Sequence, residues 1–488
     1  MSLSGRLLVA FLGLLVACAS RPPLPLPEQP LARTPEEPAH AQPPPLIAAE
    51  VESVDVALES TTLPNGMTLL VAPRRQLPYV ALSVVARGAG TFESLCAPEV
   101  LQLTARAVVE GGTVWTDGKV VEPLRVHGRG VEFDVAADYT HFDLPVLRDA
   151  LPAGLTVLAR TVQKPAFAGG LDPVRVHAID ALKNSSGNVD SQLLKLAAAG
   201  SYGEAFAGRL VPSKIDTIRK ASDAVIKQCY GMSIVPETSA LIAVGDVTLA
   251  ELRELAEPLF GSWSSRERSR ALPAPAPSFE SKGRQVHWLV AGDQTQSRVV
   301  LLQPAPTQLQ PDDEAPFALL SEIAVGASRS RSNNRLRHDQ GVTYGLQPEL
   351  IQGRKVGLLL VQAAFEPDAT VDAIRSLLES FEELQEQPVA EAELQDAKRR
   401  LLARVAFRAG SNDSLADYLG QLFAQGKGPS WLGQLQASLA AIRPNDLQRV
   451  AKQYLRPSDT DLGVYCDWDL RNQLSFIGRV TTYRADLE

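Results

Sequence analysis

The chain has 488 residues, room for two to four domains at roughly 100–200 residues each. Hydrophobic residues make up 45% and charged residues 21%, which excludes wholesale disorder and leaves ample material for packed cores. The formal net charge of −8 gives no electrostatic footprint for nucleic acid. The six His and four Cys limit which metal sites can be built.

Residues 1–17 read as an export signal: Arg6 is followed by an apolar run over residues 7–17. That run is short of the about 20 residues a spanning helix needs and suits a signal h-region. It ends in Leu15-Val16-Ala17-Cys18, which resembles the bacterial lipobox, so Cys18 is expected to be cleaved free and lipidated. By resemblance to lipoprotein sorting, Ala19 at the next position points to the outer membrane, facing the periplasm. Residues 18–48 form a spacer, because ten prolines fall between Pro22 and Pro45 and favour extended conformation. Cys96, Cys229 and Cys466 remain. Three is odd, so at least one thiol is expected to be free, and with no CxxC pair neither dependence on a disulfide framework nor a Cys-based zinc site is expected.

A second proline-rich break, LPAPAP at 272–277, divides the body into 49–271 and 282–488 around a linker at 272–281. In the first piece, 61–72 reads as two short strands about the Asn65-Gly66 turn signal. Residues 80–87 read as a buried strand and 98–110 as a helix stopped by Gly111-Gly112. A strand over 131–137 and a helix over 143–158 follow. Residues 238–247 form a buried strand leading into a helix from Leu249. The second piece repeats the outline: strands at 286–290 and 298–303, a helix at 314–325, a strand at 356–365, and helices at 369–385, 390–407 and 443–454. The order is α+β, with a plausible internal duplication.

The chain resembles the insulinase/pitrilysin family of zinc metallopeptidases. The resemblance rests on LPNGMTLLV (63–71), VVARGAGTFE (84–93), EGGT (110–113) and ALIAVGDVTLAELRELAEPLFGSW (240–263). It continues in QTQSRVVL (294–301), IAVGASRSRSNNRLRHDQGVTYG (323–345) and ELQDAKRRLLA (393–403). It implies two homologous insulinase-type halves in tandem, forming a half-clamshell that closes with a second chain around an unfolded peptide.

Active members carry HxxEH on the first helix of the N-terminal half. Two His at i and i+4 share a helix face and reach one zinc, and the Glu activates the metal-bound water. Here the two His positions fall on Gln102 and Arg106, and the base position falls on Ala105. The distal Glu ligand falls near Asp180 or Ala181. The His are His40, His127, His141, His177, His287 and His338; none lies within five residues of another, so no helical His pair exists. This chain is expected to bind no zinc, with each His a surface or structural one.

A second family feature is kept. The resemblance implies that an Arg and a Tyr seven residues apart hydrogen-bond the substrate carbonyl, and Arg337, Gly341 and Tyr344 match that pattern. Such a donor pair suits charge developing on a carbonyl oxygen. The plainer alternatives are that Arg337 pairs with Asp339 and that Tyr344 is a half-buried strand residue. Arg329, Arg331, Arg335 and Arg337 also make a dense basic cluster, which attracts acidic segments or is simply a solvated run.

The expectation is a non-catalytic, substrate-binding subunit of a heterodimeric insulinase-family zinc peptidase at the cell envelope. Arg337 and Tyr344 would serve a zinc site on an HxxEH-bearing partner, and the chain would be inactive alone or as a homodimer. The alternative is a structural lipoprotein with this fold and no proteolytic role, as in core subunits of respiratory complexes. An autonomous hydrolase ranks last, since no nucleophile elbow or triad is evident.

Overall fold

A computed structural model describes residues 56–87, 96–114, 120–121, 125–126, 129–136, 139–167, 171–264, 282–291, 294–326, 328–353 and 356–484. The chain divides into Met1–Glu52 and Ser53–Glu488, and all described residues lie in the second unit. The signal, Cys18, the proline-rich spacer, His40, His127 and the LPAPAP break lie outside them. No helix among the described residues is long and apolar enough to cross a membrane.

The first sheet contains β1 (Glu59–Thr62), β2 (Thr68–Pro73), β3 (Tyr79–Arg87), β4 (Glu132–Val135), β5 (Tyr139–Leu147) and β6 (Ser239–Gly245), in spatial order β1-β2-β6-β3-β5-β4. The second contains β7 (Gln285–Ala291), β8 (Ser297–Pro304), β9 (Leu346–Gln352), β10 (Gly357–Phe365), β11 (Asp461–Asp467) and β12 (Arg479–Arg484), in order β9-β10-β8-β11-β7-β12. The four central strands follow one plan in both. β2 runs parallel to β6, and β3 is antiparallel to β6 and to β5. Likewise β7 runs parallel to β11, and β8 is antiparallel to β11 and to β10.

One face of the first sheet, with Leu69, Leu82, Phe142, Leu144 and Leu241, packs against helices of its own half. These include α1 (Pro98–Glu110), α2 (Leu151–Gln163), α3 (Asp172–Ser186) and, further on, α5 (Asp223–Ser233) and α6 (Leu249–Phe260). The opposite face, with Leu70, Ala81, Val85 and Ile242, is covered by Leu415, Leu419 and Leu422 of α10 (Asn412–Ala424), a helix from the other end of the chain. The exchange is reciprocal. In the second sheet Leu289, Val300, Leu302 and Leu360 are covered by Leu193, Ala197 and Ala198 of α4 (Val189–Tyr202). Its other face packs on α7 (Pro311–Ser321), α8 (Thr370–Glu386), α9 (Glu391–Arg408) and α11 (Pro444–Tyr454). Coverage on both faces is why SALIAVG in β6 is apolar without alternation.

The α4 contact is fixed by polar groups. Asp461 Oδ2 accepts from Ser201 Oγ at 2.7 Å and Asp461 Oδ1 lies 2.8 Å from His287 Nε2. All three residues are buried. A Cβ at Gly200 would collide with both Asp461 and His287, so this crossing requires glycine. Asp190 on the same helix takes a two-point bond from Arg298.

Two readings from sequence are corrected. Residues 143–158 are not one helix. β5 runs to Leu147 because Phe142, Leu144 and Val146 alternate onto the core with period two, and α2 begins only at Leu151. Cys96 and Cys229 form a disulfide, with Cα atoms 5.5 Å apart, and Cys466 is free and buried. The spacing of the cysteines carried no sign of that pair, because 133 residues separate them.

His141 lies on β5 between Asp134 and Asp143, with Nδ1 2.8 Å from Asp143 Oδ2 and Nε2 3.6 Å from Asp134 Oδ2. Burial alone would push its pKa down, but the hydrogen bonds and charges of the two carboxylates raise it to about 10. A folded pKa above the unfolded value of about 6.5 stabilises the fold fully below about pH 6.5, and the contribution is lost as pH rises through 10. Urea unfolding should therefore show stability falling between about pH 6.5 and 10, and His141→Gln should flatten that slope. An unchanged slope in the variant would exclude this charge cluster as its source.

Candidate functional site

α1 begins with Pro98 in its first turn, where a missing N–H costs nothing, and ends at Gly111. Its Glu99 is buried and accepts the backbone N–H groups of Ser213 and Lys214 at 3.1 and 3.0 Å. The disulfide at Cys96 ties the entry of α1 to α5. This helix is therefore rigidly placed.

The residues at the zinc-motif positions do not fit the metal. Gln102 is half-buried and Ala105 belongs to the core. Arg106 places a fixed positive charge where a second ligand would stand. Its guanidinium lies 2.5 Å from Glu110 Oε1 and over the ring of Phe133, 5.3 Å from the centroid. His177 on α3 reaches the other oxygen of Glu110 at 3.0 Å. Asp180 is exposed and Ala181 half-buried on the same helix. A cation, a carboxylate and an imidazole, bonded to one another, thus occupy the ground between α1 and α3. Sequence reasoning missed Glu110 and His177, although Glu110 stands four residues after Arg106, the spacing of a helical ion pair.

The second candidate segment lies in the other half. α7 continues into a π-helical turn, Glu322–Gly326, and a second π-helical segment, Asn334–Asp339, follows after a short turn, Arg331–Asn333. Such wide turns recur at functional sites. Buried Glu322 is held by Arg400 at 3.3 Å and by Arg404, both on α9, and Arg404 also donates to Gly326 O at 3.2 Å. Buried Asn333 joins both ends of the segment. Its Nδ2 donates to Ser330 Oγ at 3.1 Å, and its Oδ1 accepts from Leu346 N at 3.0 Å.

Between those ends the backbone is pinned. Gln340 N and Val342 N bond Arg335 O and Leu336 O, each at 3.0 Å. Thr343 Oγ1 donates to Ala364 O at 2.7 Å and accepts from Gly345 N at 3.1 Å. Gly341 has φ +70° with open space around it, so the dihedral and not crowding selects glycine.

The four arginines separate into two kinds. Arg331 makes a two-point bond to Glu393 at 2.9 and 2.8 Å, and Arg335 bonds Glu383 at 2.6 Å and Ser376 O at 3.3 Å. These two hold the segment to α9 and α8. Arg329 and Arg337 are exposed, and no carboxylate pairs with either among the described residues. Tyr344 is 87% exposed and precedes β9 rather than lying in it. Neither plain alternative from sequence describes these side chains: Arg337 does not pair with Asp339, and Tyr344 is not half-buried. Arg337 and Tyr344 are thus two exposed donors carried on a hydrogen-bonded backbone, with no side-chain acceptor for either among the described residues.

The remaining nucleophile candidate offers nothing further. The Cys466 thiol is pushed up to about 12, chiefly by burial, which leaves it inert at neutral pH.

Residues 221–401 match the sequence model of a family described as "Peptidase M16 inactive domain". This stretch includes Arg337, Gly341 and Tyr344 and does not reach α1. Comparison with curated proteins gives no match. Among solved structures, the chain is similar to a protease from Helicobacter pylori, with a TM-score of 0.73 at 16% identity, over 84% of this chain and 100% of that one. It is similar to a peptidase M16 inactive domain from Pseudomonas fluorescens, with a TM-score of 0.72 at 17% identity, over 84% and 98%. A chain of complex III2 from Candida albicans matches with a TM-score of 0.70 at 12% identity, over 87% and 100%.

Proposed function

We propose that this chain is a member of the insulinase, or M16, peptidase family that serves as a non-catalytic, substrate-binding subunit working with an HxxEH-bearing partner of the same family. The match of residues 221–401 to the M16 inactive-domain model supports the membership, and the likeness to solved structures supports the fold. One contrast carries this reading. The zinc-motif helix holds an Arg106–Glu110 ion pair in place of ligands, whereas Arg337 and Tyr344 stand exposed on a pinned backbone, without an ion pair or side-chain partner among the described residues. The partner's zinc would supply water activation and Lewis acidity. Arg337 and Tyr344 would donate hydrogen bonds to the carbonyl oxygen of the bound peptide and stabilise the charge that develops there. Two copies of this chain without a partner would be inert toward peptides.

Lipidation at Cys18 would tether the chain to the outer membrane, facing the periplasm. The Cys96–Cys229 disulfide supports an oxidising compartment, where such bonds persist.

A scaffold role is the second reading, favoured by the likeness to a chain of complex III2. Capture of partners from envelope extract with the tagged full chain separates the two. The peptidase reading expects a co-purifying HxxEH chain and chelator-sensitive peptide cleavage in the eluate. Capture of partners that lack that motif, with no cleavage, would favour the scaffold.

A further inference from the structure

We infer that the Arg337–Tyr344 segment selects an acidic stretch of polypeptide; this rests on the peptide-binding reading above and adds the substrate class. The observation is that Arg329 and Arg337, both exposed and without a paired carboxylate among the described residues, are carried on stretches bonded to each other. His338 Nε2 lies 3.3 Å from Ser328 O, and Asn334 Nδ2 donates to Arg329 O at 3.2 Å. These bonds fold the segment that carries Arg337 back onto the one that carries Arg329. Arg404 reaches the same place through Gly326 O.

The neighbouring carboxylates are committed elsewhere. Glu393 and Glu383 are taken up by Arg331 and Arg335. Glu322 is buried and shared between Arg400 and Arg404, and Asp396 lies 3.7 Å from Arg400 as well. Asp339 is exposed, and no ion pair joins it to these arginines among the described residues. Arg329 and Arg337 thus face solvent with no paired carboxylate among the described residues, on a chain whose net charge is −8. A local positive field on an acidic protein concentrates an anionic ligand at that one place. Guanidiniums match carboxylates in shape as well as charge. Peptide and not small anion is the occupant on the reading proposed above, in which Arg337 and the exposed Tyr344 serve a bound polypeptide.

The test is fluorescence anisotropy of the full chain in detergent with three labelled peptides of equal length, rich in Glu, in Gln or in Lys. The Glu peptide should bind about tenfold tighter than the Gln peptide, the size expected of two or three exposed ion pairs. The difference should shrink as salt rises. Arg329→Gln should remove most of the preference, and Arg329→Lys should keep it. Equal binding of Glu and Gln peptides would overturn the inference, as would a preference that survives Arg329→Gln. Vesicles rich in phosphatidylglycerol form a further arm: binding to them as tight as to the Glu peptide, and lost in Arg329→Gln, would reassign the patch to an anionic surface and overturn the peptide claim. The two claims fail separately. If Arg337→Ala abolishes cleavage by the assembled pair while no Glu preference is seen, only the substrate class is wrong. If the Glu preference holds but cleavage ignores Arg337, the donor role is wrong.

Discussion

Arg337→Ala is expected to lower kcat/KM of the chain assembled with its HxxEH-bearing partner by about 100-fold, the usual effect of removing one preorganised donor to a developing oxyanion. Tyr344→Phe should act in the same direction, and the double variant should cost less than the product of the two, because both donors serve one oxygen. The structure gives a reason to expect clean variants. Arg337 has no ion pair among the described residues and Tyr344 is exposed, so truncation leaves no buried group unsatisfied. Thermal unfolding and partner affinity should therefore stay near those of the parent chain, and the loss should appear in turnover. By contrast, Arg335→Ala removes the bonds to Glu383 and Ser376 and should lower stability as well as activity. Full turnover by the Arg337 variant within an assembled pair would remove the central role assigned to this segment.

The disulfide should carry the largest stability effect. Cys96 and Cys229 are both buried and close a loop across 133 residues. The chain-entropy estimate for a loop of that size is about 5 kcal/mol, and measured values are commonly about 2–4 kcal/mol. Urea unfolding of the Cys96→Ser, Cys229→Ser double variant should show a loss in that range. Thiol titration of the unfolded, unreduced chain should find Cys466 reactive and Cys96 and Cys229 silent until reductant is added. The structural reason lies in placement: the bond anchors the entry of α1 to α5, and α1 leads to the Arg106–Glu110 pair. Equal stability with and without the bond, or full thiol reactivity of chain taken from its native compartment, would contradict both the pairing and the support it gives to export.

Much of the fold was legible because its cores are written in local periodicity. Pro98 and Gly111 delimit α1 as their chemistry demands, and the Asn65-Gly66 turn joins β1 to β2. What escaped was long-range. Residues 143–158 mislead because β5 hands over to α2 within a few residues, and a strand end and a helix start superpose in one apolar stretch. The exchange of α4 and α10 between the two sheets leaves no local trace, since either helix shows only an apolar stripe and not the surface it meets. At the site, the positions Gln102, Ala105, Arg106, Arg337, Gly341 and Tyr344 came from the family resemblance. Their partners did not. Whether an arginine is bonded or free depends on residues such as Glu383 and Glu393, roughly fifty or more positions away, and sequence proximity pointed instead to Asp339.

The central claim is that this chain lends hydrogen-bond donors to an active site whose metal it does not itself hold. The most direct test is to measure zinc content and cleavage of a mixed peptide library for the purified full chain, first alone and then with its co-purifying partner. The account predicts neither metal nor cleavage from the chain alone, and chelator-sensitive cleavage that appears only with an HxxEH-bearing partner. Stoichiometric zinc and cleavage by the chain alone would contradict it, and with it the assignment of Gln102, Ala105 and Arg106 as a lost metal site.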